Sequence, residues 1–307
     1  MVFSDVYLQP GAPDPVLSEE AIVAAAARHV SDPGRLLEID ESGGEARAYM
    51  LDGGVVIKTQ RPHRLRPRTS LTKEAFFLDE LDRAGSFPVP RVLGYGHVEG
   101  IEYLCLTRMP GVAAERVQLS ARQRSEALNT LGAVLRSIHD IDQARLRASG
   151  MLPGDDTPAD LRQRFAGAFT RLADALDGGK AWQGDLDIRQ LSERRIDRLP
   201  SDTQPVALHS NPGPEHAFVD ASTGRFTGLI DFGDAYRSHP ALDLRQWRQP
   251  GDVADLLAGY QAARPLPGGF EHVLSTCLIM AELSQVARGR QGPQSAAAKI
   301  RKLDTEA

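Results

Sequence analysis

A lysine closing an apolar strand, a glutamate on the next helix and two polar loops much later in the chain are parts from which phosphoryl transfer can be built. Lys58 ends "GVVIK", Glu74 lies in "TKEAFFLDEL", Asn211 and His216 fall in "HSNPGPEH", and Asp231 opens "DFGD". This reaction asks little covalent chemistry of a protein. It needs cations on the phosphates, a metal, and a side chain that orients the attacking hydroxyl. Lys58 suits the phosphates, Glu74 an ion pair that holds the lysine, and Asp231 a carboxylate ligand for Mg²⁺. Each residue alone has a plainer reading: a solvated lysine, a glutamate on a wet helix face, a common tripeptide. Together and in this order, chance is the poorer explanation.

The elements that must position these residues follow from pattern. Ser18 before "EEAIVAAAARHV" predicts a capped helix with acidic residues in its first turn. "RLLEID", "ARAYML" and "GVVIKTQ", parted by Gly-rich turns, predict three consecutive strands. "RPHRLRPRTS", with Arg61, Arg64, Arg66 and Arg68, reads as a solvated, mobile connector. Leu71, Ala75, Leu78 and Leu81 then recur at helical spacing, and "PRVLGYG" and "IEYLCLTRM" add two strands. Pro110-Gly111 breaks the chain. Beyond it come a helix with an apolar face at Leu128, Leu131, Leu135 and Ile138, and a second helix in "TPADLRQRFAGAFTRLADALDGG". A hairpin turning at "DASTGR" precedes further helices, and the polar tail after Arg288 is expected to fray.

With these motifs in place, the chain resembles the aminoglycoside phosphotransferase and choline kinase-like family, small-molecule kinases of protein-kinase-like fold. "GVVIKTQ" resembles the family's phosphate-lysine strand and "TKEAFFLDEL" its glutamate helix. "YLCLTRMPG", with Thr107 and Met109, is similar to the hinge whose backbone takes the adenine. "TGRFTGLIDFGDAYRSHPALDL" is similar to the metal-binding hairpin and the Pro-Ala-x-Asp-Leu after it. The resemblance implies an α+β, two-lobed architecture: residues 1–110 a β-rich nucleotide lobe with an extra N-terminal helix, and residues 111–307 a helical lobe carrying the catalytic loop. It also implies ATP or GTP as co-substrate, with Mg²⁺ held by Asp231 and His216.

The catalytic loop departs from the family pattern. Where relatives read His-Gly-Asp, this chain has His209-Ser210-Asn211. The resemblance places His209 and Asn211 at catalytic positions, with Asn211 standing for the aspartate that accepts the hydroxyl proton. An amide oxygen still accepts a hydrogen bond but takes no proton at neutral pH. Two readings follow: a phosphotransferase weakened at this step, or a pseudokinase that binds a nucleotide or metabolite without transfer. Reuse of the frame for other chemistry on an acidic substrate is a third.

The net charge of −5 shows no basic footprint for nucleic acid, no apolar run is long enough for a membrane span, and the start carries no secretory signal pattern. Cys105 and Cys277 lie in apolar segments and read as buried thiols of a cytoplasmic protein. Residues 111–307 carry 25 acidic against 24 basic residues, so the helical half is not the acidic surface that a polycationic acceptor favours. Trp182 and Trp247 read as packing. A small-molecule acceptor is the expected partner; neither the acceptor nor the oligomeric state is legible.

Overall fold

The computed structural model describes residues 7–67, 70–179, 182, 186–202, 204–249 and 251–305. Ser18 caps α1 (Glu19–Ala26) by accepting the Ala21 N–H. Strands β1 (Leu36–Asp40), β2 (Ala46–Leu51) and β3 (Val55–Gln60) follow, then α2 (Leu71–Ala84), capped by Ser70, and strands β4 (Val92–Val98) and β5 (Ile101–Thr107). They form one antiparallel sheet in the order β1-β2-β3-β5-β4. Alternation sends Tyr49, Ile57, Tyr103 and Cys105 into a core shared with Ile22 and Ala25 of α1. Leu104 and Leu106 face the other way, into a core with Phe77, Leu78 and Leu81 of α2. Lys58 pairs with Leu104 across the ladder and therefore shares the α2 face.

The second half begins with β6 (Val112–Ala113) and α3 (Ala121–His139), which opens on a Ser120–Gln123 capping box. Next come α4 (Ala144–Ala148), α5 (Pro158–Gly178) and α6 (Ile188–Asp197). Short strands β7 (Val206–Leu208), β8 (Ala217–Val219), β9 (Phe226–Leu229) and β10 (Tyr236–Ser238) frame the polar loops. The expected hairpin is the β8–β9 pair, and β6 joins it on the β8 side. Helices α7 (Asp252–Gln261), α8 (Phe270–Ala287) and α9 (Pro293–Thr305) complete the chain. The apolar core of this half is continuous with the α2 side of the sheet. Among the described residues, no helix is long and apolar enough to cross a membrane.

Three expectations change. The tail does not fray: Ala296, Ala297 and Ile300 are buried, and Asp304 of α9 lies 3.2 Å from Arg194 and 3.6 Å from Arg195. Two alanines and an isoleucine on one face suffice to dock a helix that reads as polar overall. Helices α4 and α6 occupy a stretch where the pattern gave no assignment. Arg195 of α6 is fully buried, donating to Thr276 Oγ1 and to the His272 carbonyl of α8. The arginine-rich connector is not freely solvated either. Arg61 is buried against Asp14, and Arg66 pairs with Asp234 and Glu45; Arg68 lies outside the described residues.

Candidate active site

Lys58 is where the strand, the helix and the late loop meet. Its Nζ lies 2.6 Å from Glu74 Oε2 and 2.6 Å from Asp231 Oδ1. Glu74 is the buried member, with 1% of its side chain exposed, while Asp231 keeps 40%. The second oxygen of Glu74 accepts the Phe232 N–H at 3.3 Å, so one carboxylate of α2 fixes both the lysine and the backbone after Asp231. Phe232 is edge-on to Phe77 of α2 at 5.4 Å and to His209 at 4.5 Å, which ties the three elements by packing as well. Burial pushes the Glu74 carboxyl up, opposed by the ammonium beside it. Burial acts against the charge on Lys58 too, but Asp231 and Glu74 outweigh it and raise its pKa above the ordinary value. Desolvation likewise opposes ionisation of Asp231, yet Lys58 and His216 hold it well below the usual carboxylate range.

His216 completes this cluster. Its Nε2 lies 3.2 Å from Asp231 Oδ2, and its Nδ1 lies 2.8 Å from the Asn211 carbonyl oxygen. A carbonyl only accepts, so Nδ1 carries the proton. The Nε2 lone pair would then face a carboxylate unless a positive charge, a proton or a metal cation, sits between them. That arrangement fits a divalent ion, although Mg²⁺ prefers oxygen donors and takes much of its shell from phosphate and water. Among the described residues no set of three or more His, Cys, Asp or Glu side chains could hold a metal. The two side chains that meet at this point are Asp231 and His216.

The loop that presents Asn211 is held from beneath by Asp243, in the turn after β10. Asp243 is fully buried and accepts the N–H groups of His209 and Ser210, each at 2.8 Å, and lies 3.1 Å from His139 Nε2. His139 in turn meets the Tyr260 hydroxyl at 2.9 Å. Burial would raise the Asp243 pKa, but these hydrogen bonds and His139 lower it. His209 accepts the Asn211 N–H at Nδ1 and so donates from Nε2 to the Ile230 carbonyl at 2.8 Å. Burial pushes its pKa down to about 4, so it is a neutral brace for the loop and not an acid. Trp247, buried as expected, donates to the Pro212 carbonyl at 2.8 Å.

Asn211 Nδ2 donates to Glu215 Oε1 at 3.1 Å. This bond settles which end of the amide is which, and leaves Oδ1 as the group offered to a neighbour. Ser210, Asn211 and Asp234 line a cavity of about 360 Å³ whose other walls come from α5, α8, Arg66 of the connector, and Leu242, Arg245, Gln246 and Arg248 in and after the turn that follows β10. Lys58 and Asp231 are outside that lining, whereas Asn211, whose carbonyl oxygen meets His216 of the lysine cluster, is within it. The hinge residues are less directly engaged. The Thr107 N–H is used by the Arg91 carbonyl at 3.0 Å, and the Met109 methyl lies over Gly228 of β9.

Sequence reasoning passed over Asp243 and the bond from Asn211 to Glu215. Asp243 sits between two leucines in "PALDL", and a carboxylate in such company signals burial with partners. Asp234, the last residue of "DFGD", lies on the cavity wall with Asn211.

Comparison with known proteins agrees with this geometry. A family model described as a phosphotransferase enzyme family matches residues 37–271. An aminoglycoside 3'-phosphotransferase of Streptomyces fradiae is 27% identical over 201 residues, covering 64% of this chain and 72% of the relative. The streptomycin–ATP–APH(2")-IIa ternary complex superposes with a TM-score of 0.59 at 14% identity, over 89% of this chain and 91% of that one. The macrolide 2'-phosphotransferase MphH of Brachybacterium faecium does so with a TM-score of 0.59 at 21% identity, over 93% and 96%. These likenesses show the fold: α+β, two-lobed and protein-kinase-like, with an antiparallel N-terminal sheet and a mainly helical remainder.

Proposed function

The chain belongs to the phosphotransferase enzyme family, and from that premise we propose that it moves the γ-phosphoryl group of ATP or GTP to a hydroxyl of a small molecule. The observation that carries this reading is the convergence of Lys58, Glu74, Asp231 and His216 within hydrogen-bond reach, with Asn211 bonded to the same loop. Residues 1–110 form the nucleotide lobe and residues 111–307 the acceptor lobe, divided at Pro110-Gly111. Thr107 and Met109 mark the strand end against which the base lies. The buried thiols Cys105 and Cys277 support a cytoplasmic setting.

In this mechanism Lys58 holds the phosphates and Glu74 holds Lys58. Asp231 and His216 would carry Mg²⁺, which when bound neutralises charge on the transferring phosphate. Asn211 Oδ1 accepts the hydrogen bond of the acceptor hydroxyl and points its oxygen at phosphorus. The new O–P bond forms as the bond to the nucleoside diphosphate breaks, and the hydroxyl proton leaves on the transferred phosphoryl group. A loose transition state carries little need for early proton removal, so positioning supplies most of the rate. The missing base costs the remainder, on the order of 10²–10⁴-fold.

The test is calorimetric binding of ATP and GTP with and without Mg²⁺, followed by turnover of Asn211→Asp. Metal-dependent binding that Lys58→Ala abolishes is expected, as is a rise of about 10²-fold or more in turnover for Asn211→Asp. The new carboxylate would face Glu215, so Asn211→Asp/Glu215→Gln is the cleaner variant. A folded protein that binds neither nucleotide overturns the proposal; binding with no transfer by either variant leaves the pseudokinase reading.

A further inference from the structure

The cavity beside Asn211 is walled by six arginines: Arg66, Arg164, Arg171, Arg245, Arg248 and Arg288. Among the described residues, the only carboxylate in its lining is Asp234. Three of the six are already engaged. Arg66 pairs with Asp234 and Glu45, Arg164 pairs with Asp155, and Arg245 donates to the carbonyl oxygens of Leu242 and Ser210. Among the described residues, Arg171, Arg248 and Arg288 have no hydrogen-bond or ion-pair partner on their side chains. Glu282 acts on Arg248 from outside the lining, but it is bridged to Lys299 at 3.2 Å. Burial depresses the Arg248 pKa; the Glu282 carboxylate opposes the shift, and the like charges of Arg288 and Arg245 add to it.

A polycationic acceptor entering this space would meet repulsion from several sides. An anion would meet guanidinium groups whose donors match carboxylate and phosphate geometry. We infer that the acceptor is an anionic hydroxy compound, a hydroxy acid or a sugar phosphate, whose carboxylate or phosphate is held by Arg171, Arg248 and Arg288 while Asn211 orients its hydroxyl. The inference rests on the phosphotransferase reading and adds the substrate class. The bond changes are those given above: the hydroxyl oxygen bonds to the γ-phosphorus, the nucleoside diphosphate leaves, and the proton departs on the phosphoryl group. The acceptor's anionic group takes no part in the transfer. It supplies the direct ion-pair partner that the three arginines lack.

The experiment is calorimetry on the whole chain saturated with ADP and Mg²⁺, so that phosphate does not report on the nucleotide site. Citrate, glucose 6-phosphate, glucose and kanamycin are the probes. Citrate, glucose 6-phosphate or both are expected to bind, and glucose and kanamycin are not. Comparison of citrate with glucose 6-phosphate tells a carboxylate site from a phosphate site. Arg248→Gln/Arg288→Gln should weaken anion binding at least tenfold, with ADP binding as the check that the variant is folded. Arg122→Ala, on the exposed face of α3 and paired with Glu126, should leave it unchanged. Binding of kanamycin without the anions, binding of no anion, or anion affinity indifferent to the arginine substitutions would each overturn the inference. Failure of the phosphotransferase reading looks different: ADP itself would not bind, and the anion titrations would then be run on the free protein.

Discussion

Two backbone positions in the site stand in the left-handed region, Ser210 at φ 85° and Asp231 at φ 70°. Non-glycine residues are uncommon there, and the strain costs about 1–3 kcal/mol. At Ser210 the N–H is fixed by Asp243 and the side chain is buried, so the surroundings hold the turn in place. A glycine would take this turn without that cost. Ser210→Gly should therefore raise unfolding stability by about 0.5–1 kcal/mol, the relief being partly offset by glycine's larger unfolded-state entropy; urea denaturation checks it. Glu215 is the second residue-scale prediction. Its bond to Asn211 Nδ2 keeps the amide oxygen available, so Glu215→Ala should lower kcat by about 10–100-fold, the size of effect expected from misplacing a positioning group. Nucleotide affinity should hold. An equal loss of affinity would mean that the loop had collapsed. The identity of Asn211 was plain in the sequence. Its orientation was not, because the loop curls a residue four positions on back against it.

At the scale of elements, the site depends on how α3, α7 and the turn after β10 support one loop. Helices α3 and α7 touch through glycines: a Cβ on Gly132 would come within 2.0 Å of the Leu256 carbonyl oxygen, and one on Gly259 within 1.8 Å of the Asn129 oxygen. Both clashes are with backbone, so neither Gly132→Ala nor Gly259→Ala is relieved by a rotamer change. Each should destabilise by roughly 2–3 kcal/mol through overpacking, read as a drop in Tm. Tyr260 beside this crossing reaches His139, and His139 reaches Asp243. Asp243→Ala removes the acceptor for two loop N–H groups and for His139, with an expected cost of about 3–5 kcal/mol and loss of turnover. The strands of the N-terminal sheet were legible because each alternates between turn residues, and α2, α3 and α5 because their caps and apolar spacing agree. Helix α6 was not, because only Ile188 and Leu191 mark its apolar face and its third buried side chain is Arg195, which no hydrophobic pattern counts as core. Helix α9 hid for a related reason: alanines among polar neighbours carry weak periodicity.

The molecule as a whole should lose stability on mild acidification. Burial pushes His209 to about 4, and burial, then the nearby His139, pushes His239 to about 4 as well. Unfolded imidazole titrates near ~6.5, so between those values the unfolded chain binds more protons than the folded one. Stability is thus fully present above about pH 6.5 and falls as pH drops toward 4, by about 3 kcal/mol for each histidine. Asp231 and Asp243, both held low, extend the loss below the ordinary carboxylate range. Urea titrations at several pH values check the slope, which His239→Gln should reduce. The Lys58 cluster was readable from chain order, whereas the arginine-walled cavity draws on residues spread from Arg66 to Arg288 and exists only after folding. Helix α2 has one further consequence. Its apolar side belongs to the same core as the helical half, and its Glu74 is bonded both to Lys58 and to the backbone beyond Asp231. A protein built this way has no separate inactive posture within easy reach, since swinging that helix away would breach the interior of both halves. Completing the fold and arming the enzyme are then one event, and output would be set by how much protein is made and kept.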